Sequence, residues 1–136
     1  FKSTIDTLQT IRKFKFIEAN LSNWDLIEGI FKSENFDAII HFAASLIVPE
    51  SVENPLKYYL NNTANTTNLV KLVTKYGVKK IIFSSTAATY GEPDIDEVGD
   101  GIKEEFPKNP INPYGQSKLF SEKIIQDTAK VNNFKY

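Results

Sequence analysis

Two short, nearly unbroken apolar runs limit the fold of this chain more than any other feature. They are Asp37-Ala38-Ile39-Ile40-His41-Phe42-Ala43-Ala44 and Lys79-Lys80-Ile81-Ile82-Phe83-Ser84-Ser85-Thr86. A strand with one wet face alternates apolar and polar residues, whereas a run without alternation reads as a strand covered on both faces, as in a parallel sheet. Parallel strands need a long crossover, and the intervening chain carries helix signals. Pro55 suits a first helical turn and Gly77 suits a left-handed cap, so a helix is expected to open near Pro55 and end before Gly77. Leu60, Leu69, Val70, Leu72 and Val73 are its expected buried contacts. Its middle, Asn61-Asn62-Thr63-Ala64-Asn65-Thr66-Thr67-Asn68, is poor helix-forming material, because Asn and Thr side chains compete for backbone hydrogen bonds. A polar partner such as a ligand would give these amides a reason.

The rest of the chain continues the alternation. Phe14-Lys15-Phe16-Ile17-Glu18-Ala19 reads as a strand stopping at Asn20, and Ser22 or Asn23 can cap a helix with Trp24, Ile27, Ile30 and Phe31 at helical spacing. The stretch from Gly91 to Pro113 has four prolines, three glycines and seven acidic residues, the composition of a long surface loop. A last helix begins at Pro113 or Tyr114 and points Leu119, Ile124 and Ile125 at the core. Strand, helix, strand, helix, strand, loop, helix implies right-handed βαβ units and an α/β parallel sheet.

Composition removes several function classes. The 136 residues hold sixteen basic and seventeen acidic side chains, a net charge of −1, which is not the electrostatic footprint of a nucleic-acid or anionic-membrane binder. There is no cysteine, which excludes a disulfide scaffold, a thiol nucleophile and a thiolate zinc site. No apolar run approaches the roughly 18 residues that span a bilayer, and Phe1 to Thr10 lack a signal-peptide layout, so a cytoplasmic protein is expected.

In parallel sheets, ligands sit beyond the carboxyl ends of the strands. That directs attention to Asn20-Leu21, to Phe42, Ala43, Ala44, Ser45 and Leu46, and to Ser84, Ser85 and Thr86. Tyr114-Gly115-Gln116-Ser117-Lys118 adds a phenol and an ammonium four residues apart, on one helix face. A free phenol with a pKa near 10 is a poor base, and a nearby cation favours its ionised form. A hydroxyl, a phenol and an ammonium are the parts needed to take a proton from a sugar alcohol while hydride leaves its carbon for a nicotinamide.

Six ordered motifs carry a resemblance to a known family. They are His41-Phe42-Ala43-Ala44, Pro49-Glu50-Ser51-Val52, Asn54-Pro55-Leu56-Lys57-Tyr58-Tyr59, Asn61-Asn62, the stretch from Phe83 to Pro93, and Asn112-Pro113-Tyr114-Gly115-Gln116-Ser117-Lys118. Together they resemble the UDP-glucose 4-epimerases of the extended short-chain dehydrogenase/reductase family, over nearly the whole chain. The resemblance implies a Rossmann-like doubly wound sheet, NAD as cofactor, a UDP-sugar substrate and a homodimer. It implies Tyr114 as acid/base at the sugar 4-hydroxyl, Lys118 lowering its pKa and holding the nicotinamide ribose, and Thr86, where serine is usual, bridging sugar oxygen and phenol. Asn61 would lie beside the cofactor, with Phe42, Ala43, Ala44, Ser45, Leu46 and Ser84 along the dinucleotide and Asn20 and Leu21 by the adenine. The implied reaction is oxidation at C4, rotation of the 4-keto sugar and hydride return to the opposite face.

Two departures stand out: Leu46 replaces a lysine common near the cofactor, and Asn20 replaces a common aspartate. The nearest rival is a nucleotide-sugar 4,6-dehydratase, which follows its active-site threonine with an aspartate and a glutamate; Thr86 is followed by Ala87 and Ala88, which cannot transfer protons. A C4 reductase or a decarboxylating relative keeps the same Tyr and Lys. The glycine-rich phosphate loop Gly-x-x-Gly-x-x-Gly does not occur in these residues, and the chain starts at Phe1. Residues 1–136 therefore read as a partial NAD-binding domain without its first two strands or a C-terminal substrate domain, expected to be inactive and poorly folded by itself. In the strand order 3-2-1-4-5-6 the strand at Phe14 and the one at Asp37 are not neighbours.

Other features have plain readings. His41, the only histidine, is expected to be a buried structural residue, and Trp24, Tyr58 and Tyr59 are expected to pack. Asp94, Asp96, Gly99 and Glu105 are spaced like part of a calcium loop, yet Val98 takes a ligand position, so no metal site is expected. Glycosylation acceptors at Asn20, Asn61 and Asn65 carry little weight without a secretory signal.

Overall fold

The computed structural model describes residues 2–11, 15–94, 99 and 101–136. Strands β1 (Ala38–His41) and β2 (Lys80–Phe83) pair in parallel, with Ala38 opposite Lys80 and His41 opposite Phe83. The Ser84 amide continues the ladder to the His41 carbonyl at 3.1 Å. On the far side of β2, Lys135 forms a parallel bridge to Lys80, with bonds of 2.9 Å from Ile81 N to Lys135 O and from Lys135 N to Lys79 O. The expected parallel α/β sheet is thus present, with β2 in its middle.

Helix α1 spans Lys2–Ile11, a segment to which the sequence assigns no element. Helix α2 (Trp24–Ser33) starts where expected, with the Asn23 side chain accepting from the Leu26 amide. Between the strands the crossover is built from α3 (Val48–Glu53), α4 (Pro55–Tyr58), a π-helical segment (Tyr59–Ala64) and α5 (Asn65–Lys75), ending at Gly77 with φ of 68°. The expected single helix therefore carries a π-bulge through its amide-rich middle. A 3-10 turn (Ala87–Thr89) follows β2, and helix α6 spans Pro113–Val131. The described residues between Gly91 and Asn112 form neither helix nor strand.

The core lies between the sheet and helices α2, α5 and α6. Phe31, Leu69, Val70, Leu72, Val73, Val78, Ile81, Ile125 and Phe134 form one buried cluster, and Ile27, Ile39 and Ile124 pack against it. Removing each large side chain from water contributes about 1.5–3 kcal/mol, so the 3.6-residue apolar repeat fixes which face of each helix turns inward.

Five sequence expectations need correction. Lys15 to Asn20 form no strand, and Phe16 and Ile17 are exposed, because no described strand edge accepts their backbone; Phe14 lies outside the described residues. The sheet is covered on one face only, since Ile40 and Ile82, both pointing away from the core, are 58% and 57% exposed. Leu60 is exposed, because the π-bulge turns Asn62 and Asn65 inward instead. Trp24 is half exposed, with its indole N–H donating to Asn65 Oδ1 at 3.3 Å. Leu119 is only half-buried and lies outside the core cluster.

Candidate active site

The carboxyl ends of β1 and β2 are where the chemistry-bearing residues meet. Helix α6 enters this region through a tight start: Pro113 occupies its first turn and the Asn112 side chain accepts from the Gly115 amide at 2.8 Å. Gly115 lies against the 3-10 turn so closely that a Cβ there would fall 2.5 Å from the Ala88 carbonyl oxygen. Glycine is therefore what lets the helix carrying Tyr114 approach the turn carrying Thr86.

Lys118, one helical turn beyond Tyr114, is 3% exposed. Its ammonium donates to the Ser84 carbonyl and lies 4.3 Å from the centre of the Phe83 ring. Burial lowers its pKa, and Glu122, one turn further on, pulls it back up. Glu122 in turn accepts from the Ser85 hydroxyl and pairs with Lys108 of the long loop. Tyr114 is half-buried and meets the edge of the Tyr58 ring at 6.3 Å. The two phenols differ: Tyr58 is fully buried with its hydroxyl 2.6 Å from the Ile47 carbonyl and 2.8 Å from Glu50, and burial pushes its pKa up. Tyr58 is thereby held as a neutral packing residue, as expected, and Tyr59 packs on Phe120.

Thr86 Oγ1 accepts from the Ala88 amide at 3.2 Å, and the Thr86 carbonyl accepts from the Thr89 hydroxyl at 2.9 Å. While Thr86 Oγ1 accepts from the Ala88 amide, its hydroxyl proton remains available to donate elsewhere. His41 is buried as expected, its Nε2 2.9 Å from Thr66 Oγ1; burial, aided by the Lys118 charge, lowers its pKa to about 4. It is a neutral wall of the site.

The loop after β1 is held from the π-bulge. Asn61 Nδ2 donates to Ser45 Oγ at 2.9 Å, while Asn62 Oδ1 accepts from Ser45 N at 2.8 Å and its Nδ2 donates to Ser45 O at 2.9 Å. The amides thus answer to the protein's own loop. Phe42 and Leu46 stay exposed at 71% and 68%, Ala43 is exposed and Ala44 half-buried, a surface of apolar side chains and accessible backbone. Asn20 and Leu21 form the turn before α2, where Asn20 Oδ1 accepts from Ser22 N at 2.9 Å, and they make no described contact with the other candidates. Sequence reasoning missed Asn62, Gly115 and Glu122. The Asn61-Asn62 doublet inside a helix was a visible signal for the first; nothing local marks the other two.

These residues fit a dinucleotide's nicotinamide half on the chemistry of their donors. The buried Lys118 ammonium has three N–H groups, and among the described residues its hydrogen-bond acceptor is the Ser84 carbonyl, so a diol would find donors there. Among the described residues no group of three His, Asp or Glu side chains is placed to hold a metal ion, and no helix is long and apolar enough to cross a membrane. The calcium-like spacing falls partly on Asp96 and Val98, outside the described residues.

A parallel sheet, a hydroxyl-bearing strand end and a Tyr-x-x-x-Lys helix packed beside it make up a Rossmann-like α/β arrangement. The family model described as GDP-mannose 4,6 dehydratase matches residues 2–135. The solved structure of the UDP-Glc/GlcNAc 4-epimerase from Campylobacter jejuni is 52% identical with a TM-score of 0.90, covering 97% of this chain and 39% of its own. A UDP-glucose 4-epimerase of Brucella ovis, solved in complex with NAD, is 37% identical with a TM-score of 0.84, covering 94% of this chain and 38% of its own. A UDP-glucose 4-epimerase of Lacticaseibacillus casei is 48% identical over 82% of this chain and 32% of that protein. The chain belongs to the GDP-mannose 4,6 dehydratase family, within the extended short-chain dehydrogenases/reductases. It spans about a third of the length of the curated relatives it matches.

Proposed function

We propose that the full-length protein is an NAD-dependent nucleotide-sugar 4-epimerase acting on UDP-glucose and UDP-galactose, with these residues as its catalytic part. The observation that carries the proposal is the buried Lys118 one turn from Tyr114, on a helix brought against the Thr86 turn by Gly115. Bound NAD would supply a reversible hydride acceptor for the sugar C4 carbon.

The chain's own residues manage the proton. Tyr114 Oη takes it from the sugar 4-hydroxyl as hydride leaves C4, and returns it when hydride comes back to the other face of the rotated 4-keto sugar. Lys118, whose ammonium keeps donors beyond the one given to the Ser84 carbonyl, would hold the nicotinamide ribose diol. Thr86 donates its free hydroxyl proton to the sugar oxygen. The apolar Phe42 and Leu46 and the accessible backbone between them flank the dinucleotide, with Asn61 beside it. Asn20 and Leu21 belong to the adenine end, which is separate from the catalytic cluster.

Dehydration, which the family model's description names, needs acid and base side chains after the active-site hydroxyl. The corresponding positions are Ala87 and Ala88, within the 3-10 turn. The full-length protein is therefore expected to convert UDP-galactose to UDP-glucose; release of a 4-keto-6-deoxy sugar would reject the reading. A homodimer in the cytoplasm goes with this proposal, as does inactivity of residues 1–136 in isolation.

A further inference from the structure

We propose that Asn62 is a positioning residue that locks the loop after β1 and the Tyr114/Lys118 helix into one register. The proposal rests on the reading that these two elements hold the dinucleotide and the sugar.

Asn62 is 2% exposed and its amide is fully used. Toward the loop it behaves like a strand neighbour, accepting from Ser45 N at 2.8 Å and donating to Ser45 O at 2.9 Å. Its second N–H donates to Ser117 Oγ at 3.0 Å. Ser117, fully buried and between Tyr114 and Lys118 in sequence, donates its own hydroxyl hydrogen bond to the Tyr114 carbonyl at 2.8 Å. Thr63 Oγ1 donates to the Ser117 carbonyl at 3.1 Å, a second tie between the π-bulge and the helix. One side chain thus bonds both elements that carry candidate site residues.

The π-bulge explains how. In a regular α-helix, adjacent side chains diverge by about 100°, whereas here both Asn61 and Asn62 reach Ser45. The extra residue per turn is placed where two consecutive amides must face one loop, which is how such bulges serve functional sites. The helix propensity lost across Asn61 to Asn65 is spent on this arrangement.

Two variants separate the arms of the clamp in the full-length protein. Ser117→Ala cuts only the helix arm: kcat should fall about tenfold while NAD affinity stays within about twofold, since small displacements of catalytic groups cost rate. Asn62→Ala cuts both arms, so kcat and NAD affinity should each fall about tenfold or more. Val73→Ala, in the core and away from the site, should lower stability without changing either constant per folded molecule. Amide hydrogen exchange gives a readout independent of activity: Asn62→Ala should raise exchange at Ser45 by about tenfold, and Ser117→Ala should leave it unchanged. Unchanged exchange at Ser45, or an Asn62→Ala profile no different from Val73→Ala, overturns the proposal. If the parent neither binds NAD nor turns over sugar, the functional reading fails, and the exchange data still decide the clamp.

Discussion

Replacing Gly115 by alanine should damage this protein, although alanine is the better helix former. In an open helix interior the exchange stabilises by about 1 kcal/mol. At Gly115 the new Cβ would stand 2.5 Å from the Ala88 carbonyl oxygen, 3.0 Å from its carbon and 3.1 Å from Pro110 Cβ. The first obstacle is backbone, so the turn must retreat by about 0.9 Å to reach an ordinary 3.4 Å contact. Overpacking of this kind costs about 1–3 kcal/mol, which outweighs the helix gain. The retreat moves Thr86 away from Tyr114, and a misplacement near 1 Å can cost about a hundredfold in rate. Gly29, on the exposed side of α2 with nothing within 4 Å of its Cβ position, is the matched control. Denaturant unfolding and epimerase turnover of the two full-length variants should diverge: Gly29→Ala gains up to about 1 kcal/mol at full activity, while Gly115→Ala loses stability and most turnover. A Gly115→Ala protein as stable and as active as its parent would refute the close-approach argument.

His41 gives a stability signature in pH. Its folded pKa of about 4 lies below the ordinary 6.5, so the unfolded chain binds the extra proton between those values and stability falls as pH drops from about 6.5 to about 4. The contribution is about 3 kcal/mol, and denaturant midpoints of the full-length protein should lose this pH dependence in His41→Gln; an unchanged profile contradicts the buried neutral histidine. Removing the cap of α6 by Asn112→Ala should cost about 1 kcal/mol and lower turnover, because it loosens the start of the Tyr114 helix; unaltered unfolding would show that the 2.8 Å cap bond contributes nothing.

What could be read from sequence is what depends on local chemistry. The unbroken runs around Ile39 and Ile81 became the paired strands, Asn23 and Gly77 bounded helices as their side-chain and backbone chemistry requires, and the Tyr114–Lys118 spacing located the helix that meets the strand ends. The strand expected at Phe14 to Ala19 failed over residues 15–19 because β pairing is a relation between segments, and propensity in one segment says nothing about its partner. Coverage of Ile40 and Ile82 failed because an unbroken apolar run marks a strand without showing what lies against each of its faces. The π-bulge was legible only as an anomaly: the run of amides said that something held them, without saying that Ser45 and Ser117 did. Glu122 and Gly115 carry roles set by residues at a distance in sequence, Ser85 and Lys108 for one and Ala88 for the other, and no local pattern encodes those contacts.

The most direct test of the account is turnover of UDP-galactose by the full-length protein and by its Tyr114→Phe variant, with NAD bound to both and the product followed by NMR. The parent should invert the configuration at C4 alone. The variant keeps the ring, its Tyr58 edge contact and the fold, and loses only the hydroxyl; it should bind NAD as the parent does while turnover falls by about a thousandfold or more, within the range of general acid–base catalysis. Retained turnover in Tyr114→Phe, or no inversion at C4 by the parent, would contradict the central claim.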